Sequence, residues 1–479
     1  MSLKKQTFSG VIWTFLDTFL ITGISFIATL FIARILGPTD YGLIGMVAVF
    51  FAIGNTLVDS GLSQSIIRTK EADNKDYSTV FYLNLGISIF VYLVLFIAAP
   101  YIAMFFEQNI LVEIIRIYCL SFIITAFSAI QLAQLNRNMQ FKKITYINVP
   151  STIVGVIVGI TLSINGFGVW SLVWMHLSNK ITFSILLWLF STWKPTLYFS
   201  KEKMKYHYGF GYKLMLSGIL NSVFNNIYNV VIGKFYSVQS LGYFERAKKL
   251  NDYPVTILTG IISKVTYPLL SKIQDEKERI AKVYKQLIQF SFFISTPLMF
   301  GLAAIATPLF QLILGDQWMD AVPYFQIICL ASIFYPVHSF NLNILKVYGK
   351  SNLFLKLEVY KKLIIVLGIV ISFPFGIIGL VWSTVAVSFV SLLINTHYSQ
   401  KLIDYKTTRQ LLDMVPILII ASIVSFSMYY SVILFNEYSL YIQIIIPVLL
   451  GAPLYLFINY LFKTKSMQFG LELIKGLKK

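Results

Sequence analysis

Long apolar stretches separated by short polar connections fill the chain from about residue 11 to residue 462. A helix needs about 20 mainly apolar residues to cross a bilayer core roughly 30 Å thick. The pattern predicts fourteen such helices, at 11–33, 43–66, 79–99, 112–135, 146–164, 168–190, 212–234, 247–271, 285–307, 320–343, 359–378, 380–400, 414–435 and 440–462. An even number of spans places both termini on one side. The eighth is irregular, because Glu245, Arg246, Lys248 and Lys249 crowd its start and Lys264 interrupts it later. The expected fold is an all-α polytopic membrane protein.

Composition agrees with the pattern. Hydrophobic residues make up 57% of the 479 residues, aromatics 16% and charged residues only 13%, about half of the ~25% usual for a soluble domain. The mean hydropathy is +0.73. Such a chain lacks the polar coat of a water-soluble enzyme. The formal net charge of +18 would point to nucleic acid in a soluble protein. With the N-terminus inside, however, all but eight of the 39 basic residues fall in cytoplasmic segments, and the outer connections near 100–110, 165–167, 308–320 and 436–439 contain none. This bias predicts cytoplasmic N- and C-termini and removes the nucleic-acid reading. Cys119 and Cys329 lie in apolar runs, and His176, His207, His338 and His397 are isolated from one another. Neither a disulfide framework nor a metal site is expected. The first apolar stretch is too long for a signal peptide and shows no cleavage site, so it is read as a retained helix.

The two halves resemble each other at an offset of about 200 residues. Phe31-Ile32-Ala33-Arg34 matches Val231-Ile232-Gly233-Lys234, and Gly42 matches Gly242. At an offset of 210, Ile117-Tyr118-Cys119-Leu120 matches Ile327-Ile328-Cys329-Leu330, and the Gly166 to Ser171 segment resembles Gly376 to Ser383. Six helices separate the copies, so the repeats are parallel, with an axis along the membrane normal. The expected organisation is a six-helix lobe at 1–200 and a second at 201–410 around a central cavity. Two extra helices and a tail follow at 411–479.

The eight remaining basic residues are Arg34, Arg116, Lys180, Lys234, Arg246, Lys248, Lys249 and Lys264. An ionisable group at a helix centre costs about 2.5–3.5 kcal/mol on insertion scales, so such groups face a cavity or a partner. Glu245, Lys249 and Asp252 share one helix face at i, i+4 and i+7. The basic excess makes the expected cavity cationic, suited to phosphates. Arg34, Lys180, Lys234, Arg246, Lys249 and Lys264 are the candidate substrate-binding residues. For the repeat-related pair Arg34 and Lys234, anchoring of helix ends at the interface is an equal alternative. Asp17 and Asp59, within the first two helices, are candidates for coupling to sodium or protons, against the alternative of locally paired carboxylates. Tyr228, Tyr236 and Tyr243 lie near the charged stretch, where tyrosines can stack on sugar rings. No cofactor is expected.

The segment Ala33-Arg34-Ile35-Leu36-Gly37-Pro38-Thr39-Asp40-Tyr41-Gly42-Leu43 resembles the junction of the first two helices in bacterial polysaccharide flippases. These form one family of the multidrug/oligosaccharidyl-lipid/polysaccharide exporter superfamily. Leu135 to Lys143 and the Gly166 to Ser171 motif are similar to the colanic-acid and teichuronic-acid exporter branch. The resemblance implies a flippase of the bacterial inner membrane, active as a monomer, that carries undecaprenyl-diphosphate-linked oligosaccharide to the outer leaflet by rocking its two lobes. Membrane lipids and the polysaccharide polymerase and export machinery are the implied partners. The sister lipid II flippases carry arginines within helix one. Here that helix offers Asp17 and no basic residue before Arg34, a departure that argues against a peptidoglycan precursor. A multidrug exporter shares the fold, but cationic drugs favour acidic cavities. A membrane glycosyltransferase or polymerase needs a sizeable outer loop with catalytic acids. The longest polar connection, 191–211, is lysine-rich, offers only Glu202 as an acid and is read as cytoplasmic.

Overall fold

The computed structural model describes residues 3–59 and 61–477, and all regular structure among them is helical. The chain divides into two compact units, Met1–Gly242 and Tyr243–Lys479. The first contains α1 (Leu3–Ile35), α2 (Pro38–Asp59), α3 (Leu62–Arg68), α4 (Asn74–Phe106), α5 (Leu111–Tyr118), α6 (Leu120–Arg137), α7 (Phe141–Ile164), α8 (Trp170–Phe190), α9 (Lys201–Asn225) and α10 (Ile227–Phe235). It also holds the first turn of α11 (Val238–Lys272). The second continues α11 and adds α12 (Lys277–Ala304), α13 (Ala306–Ile313), α14 (Val322–Ser332), α15 (Tyr335–Val347), α16 (Ser351–Ser372), α17 (Gly376–Ser399), α18 (Thr407–Leu434), α19 (Leu440–Leu461) and α20 (Lys465–Leu477).

Eleven helical stretches among the described residues are long and apolar enough to cross a membrane, and the 48-residue one, Asn352–Ser399, holds both α16 and α17. The exceptions are the seventh and eighth predicted spans. There α9 starts at Lys201 and α11 at Val238, so both helices begin well before the apolar pattern does. The seventh span is also broken at Asn226 between α9 and α10, and the eighth carries Glu245, Arg246, Lys248, Lys249 and Asp252 within α11. Other predicted spans are broken. Gly61 takes a left-handed φ of 65° and splits the second span into α2 and α3, a conformation that glycine adopts without penalty.

In the first unit, α7 packs between α1 and α8. The α7 glycines Gly155 and Gly159 bring its backbone against Met175 and Asn179 of α8, a close approach that small residues permit in membranes. Leu62, Ile66, Val80, Phe81, Ile130 and Ala133 form a core joining α3, α4 and α6. In the second unit α12 is the hub. Tyr284 donates to Asn341 of α15 at 2.9 Å, and Ser399 of α17 donates to the same amide oxygen. Ser425 of α18 donates to the Phe300 carbonyl at 2.7 Å, and Tyr455 of α19 to that of Phe293 at 3.0 Å. The buried Asn251 ties α11 to α14 by accepting from Ser332 at 2.6 Å.

Gly42 and Gly242, equivalent in the sequence repeat, mark where α2 and the start of α11 cross. A Cβ on Gly42 would lie 2.0 Å from the Val238 carbonyl oxygen, and one on Gly242 would lie 1.8 Å from that of Pro38. Pro38 and Val238 are the first residues of the two helices. Each glycine thus faces the opening carbonyl of the other helix.

A polar cluster fastens α9 to α3 and α4. Asp73 and Asp76 form a capping box at the start of α4, and Lys203 Nζ reaches both carboxylates, at 2.9 and 2.7 Å. His207 is fully buried. Its Nε2 lies 3.2 Å from Asp76 Oδ1 and its Nδ1 lies 2.8 Å from Ser65 Oγ. The hydrogen bond from Lys203, helped by the Asp76 N–H, holds the Asp73 carboxyl well below its ordinary value. Burial works against the Lys203 charge, but its bonds to Asp76 and Asp73 outweigh it and raise the ammonium. Burial pushes the His207 imidazole down, against a partial pull upward from Asp76. A depressed imidazole means that the unfolded chain takes up the proton first. Its share of stability is complete above the ordinary value of ~6.5 and is lost as pH falls below it.

Two outcomes follow for purified protein. Between pH 7.5 and 5.5 the thermal midpoint of the wild type falls more steeply than that of His207→Gln; equal slopes in parallel melts would show that His207 does not titrate in this window. Gly42→Ala and Gly242→Ala each destabilise by about 1–3 kcal/mol of overpacking. Gly23→Ala, with nothing within 4 Å of the added methyl, leaves the midpoint unchanged.

Candidate functional site

Asp17 sits in α1 opposite α7, where Asn148 Nδ2 donates to its two oxygens at 3.4 and 3.3 Å. One turn along α7, Thr152 accepts from Asn179 of α8 at 3.5 Å, and Lys180 follows Asn179. Polar groups therefore cross three packed helices, from a carboxylate on α1 to an amide on α8. Lys180 is half-buried and makes no ion pair among the described residues. His176, one turn before it, is held by rings, 4.7 Å from Tyr118 and 5.2 Å from Phe51 between centroids. Asn148 and Thr152 were missed from sequence. Their signal was an Asn and a Thr at i, i+4 in an apolar helix, which places them on one face.

The other candidates in the first unit stand apart from this path. Lys234, in the last turn of α10, forms a 2.8 Å ion pair with Glu107 and lies 5.3 Å from the centre of the Phe105 ring. That hydrogen bond and charge hold the Glu107 carboxyl below its ordinary value. Arg34 is exposed in the last turn of α1, where a cation suits the helix dipole. Asp59 is exposed at the end of α2.

In the second unit, Arg246 is only 4% exposed, with its guanidinium 5.6 Å from the centre of the buried Trp318 ring. Lys249, one turn on, is exposed and lies 5.9 Å from the Tyr253 ring centre. Glu245 and Asp252, on the same stripe as Lys249, are half-buried. Lys264 belongs to α11, but its side chain lies outside the described residues. Tyr243, read as a sugar-stacking residue, is instead buried edge-on against Trp318 at 6.2 Å between centroids. A ring closed into this cluster presents no open face to a sugar. Among the described residues no group of three or more His, Cys, Asp or Glu side chains is placed to hold a metal ion.

Comparison with known proteins bears on this arrangement. Residues 31–323 match the family described as "Polysaccharide biosynthesis protein". The lipopolysaccharide biosynthesis protein WzxC of Escherichia coli (strain K12) is 25% identical over 378 residues, 78% of this chain and 76% of that protein. The teichuronic acid biosynthesis protein TuaB of Bacillus subtilis (strain 168) is 24% identical over 357 residues, 74% of this chain and 73% of that one. Among solved structures, the lipid II flippase MurJ in an inward closed conformation superposes with a TM-score of 0.75 at 19% identity, covering 95% of this chain and 98% of that one. At that identity the likeness establishes the fold. With more than half of its length matched, this multi-pass membrane protein belongs to the polysaccharide biosynthesis protein family.

Proposed function

We propose that the protein is a flippase for surface polysaccharide biosynthesis, moving polyprenyl-diphosphate-linked oligosaccharide units from the cytoplasmic to the outer leaflet of the bacterial inner membrane. The family match over residues 31–323 carries this reading. The charge pattern supports it, since Lys180 is a half-buried cation without an ion-pair partner among the described residues. A diphosphate carries negative charge on the non-bridging oxygens of two linked phosphorus centres, and lysine and arginine grip such oxygens with charge-assisted hydrogen bonds of about 2.7–2.9 Å. In a low-dielectric surround such an attraction is several-fold stronger than in water. Negative charge on the cargo offsets the cost of holding cations in the membrane, so loading and cavity stability are coupled.

In this reading both termini are cytoplasmic, and the repeat lobes 1–200 and 201–410 rock between inward-open and outward-open states while 411–479 stays outside the repeat. Arg34, Lys180, Lys234, Arg246, Lys249 and Lys264 supply cations. Lys180 and Lys249 are the foremost of these, because Lys234 already pairs with Glu107 and Arg246 is packed on Trp318. Asp17, hydrogen-bonded by Asn148, is the favoured residue for ion coupling, with Asp59 as the second. The cargo is moved without covalent change, so the protein acts as a transporter and not as an enzyme.

Charge reversal tests the proposal. Lys180→Glu, Lys249→Glu and Lys264→Glu are each expected to cut complementation of a polysaccharide-export defect at least tenfold, with membrane insertion at wild-type level on immunoblots of membrane fractions. Full complementation by all three variants would show that these cations do not hold the cargo.

A further inference from the structure

Away from the residues assigned to transport, a cavity of about 240 Å³ opens between the N-terminal half of α12 and the first turns of α20. Its lining is rich in hydrogen-bond donors, of which Lys282, Lys465 and Gln468 are exposed at its rim. Lys282 and Lys465 make no ion pair among the described residues. Ser466 is only 4% exposed, yet its hydroxyl has no hydrogen-bond partner among them. The side-chain amides of Gln286 and Gln468 are also uncommitted there. The third lysine, Lys285, is engaged by Asp413 at 2.7 Å. Glu472 is the one acid among the lining residues.

Ser466 is buried as a residue, but its hydroxyl opens into the cavity and is free to donate to a ligand there. Lys465 and Ser466 are the first two residues of α20, so the free N–H groups of that helix start also face acceptor chemistry. The wall is fixed in place, since Phe469 of α20 packs edge-on against Phe290 of α12 with centroids 5.5 Å apart. Two free ammonium groups, a hydroxyl and two amides around one small space match a tetrahedral oxyanion with several acceptor oxygens. The volume falls below the ~300–1,000 Å³ of sites for drug-sized ligands, which favours a phosphate group with little attached bulk.

We propose that this cavity binds a phosphate-bearing anion through Lys282, Lys465 and Ser466. The same oxyanion chemistry is presented by a phospholipid headgroup and by free phosphate. Either source joins α20 to α12 through the ligand. The site is independent of the transport reading, and its test does not depend on export activity.

Full-length protein in detergent is titrated calorimetrically with inorganic phosphate. In parallel it is placed in phosphatidylcholine nanodiscs with and without phosphatidylglycerol, and retained lipid is counted by native mass spectrometry. Wild-type binding of free phosphate, weakened at least tenfold in the Lys282→Ser/Lys465→Ser double variant and about threefold in Ser466→Ala, identifies a site for the free anion. Selective retention of phosphatidylglycerol, lost in the same variants, identifies a headgroup site. The Lys282→Arg/Lys465→Arg variant keeps the charge and retains binding, which separates ligand loss from misfolding. Wild-type protein that holds neither probe above the level of the double serine variant overturns the proposal.

Discussion

Hydrocarbon offers no hydrogen-bond partner, and this constraint governs every level of the structure. Backbone groups are satisfied within helices, the open-ended way to cross a bilayer without bare N–H and C=O groups. Polar side chains follow the same rule. Thr14 and Thr18 return their hydroxyls to carbonyls one turn earlier on α1, and Ser151 and Thr152 do so on α7. Where a side chain must reach another helix it finds a specific partner, as Asp17 finds Asn148 and Tyr284 finds Asn341. Such contacts cost little in place and much to break, so they fix which helices are neighbours.

The same constraint sorts the charges. Lys203, with Asp73 and Asp76, sits where α9 begins beneath its apolar portion, and the cluster encloses a buried histidine. Lys234 and Glu107 neutralise each other at a helix end. Lys180 has no such relief among the described residues and follows Asn179, the α8 end of the hydrogen-bonding groups across α1, α7 and α8. Under the proposed function, anionic cargo would match a cation in that position, which is why Lys180 ranks above the paired ones.

Much of this was legible in one sequence. The spans came from hydropathy because the bilayer imposes a length, and the repeat came from Gly42 and Gly242 standing 200 positions apart. What the repeat could not reveal is that these two glycines pack reciprocally against Val238 and Pro38. Contact between positions 200 residues apart leaves no local pattern. The early start of α9 was hidden for a related reason. Its first turns are polar, capped by Ser200 and held to α3 and α4 where Ser65 and Asp76 bond His207 and Lys203 reaches Asp76.

Sequence alone determined the class of molecule, most of its long apolar helices and the positions of the charges that fall among them. Each of these depends on one-dimensional quantities, namely apolar length and the order of charges along the chain. Tertiary structure decided which of those ions are already compensated. It closed Tyr243 against Trp318 and packed Arg246 on the same ring, and it joined Asp17 to Asn148. It also gathered the donors of α12 and α20 around one small cavity. Compensation depends on distances of a few ångströms between residues far apart in the chain, and those distances exist only once the helices have packed.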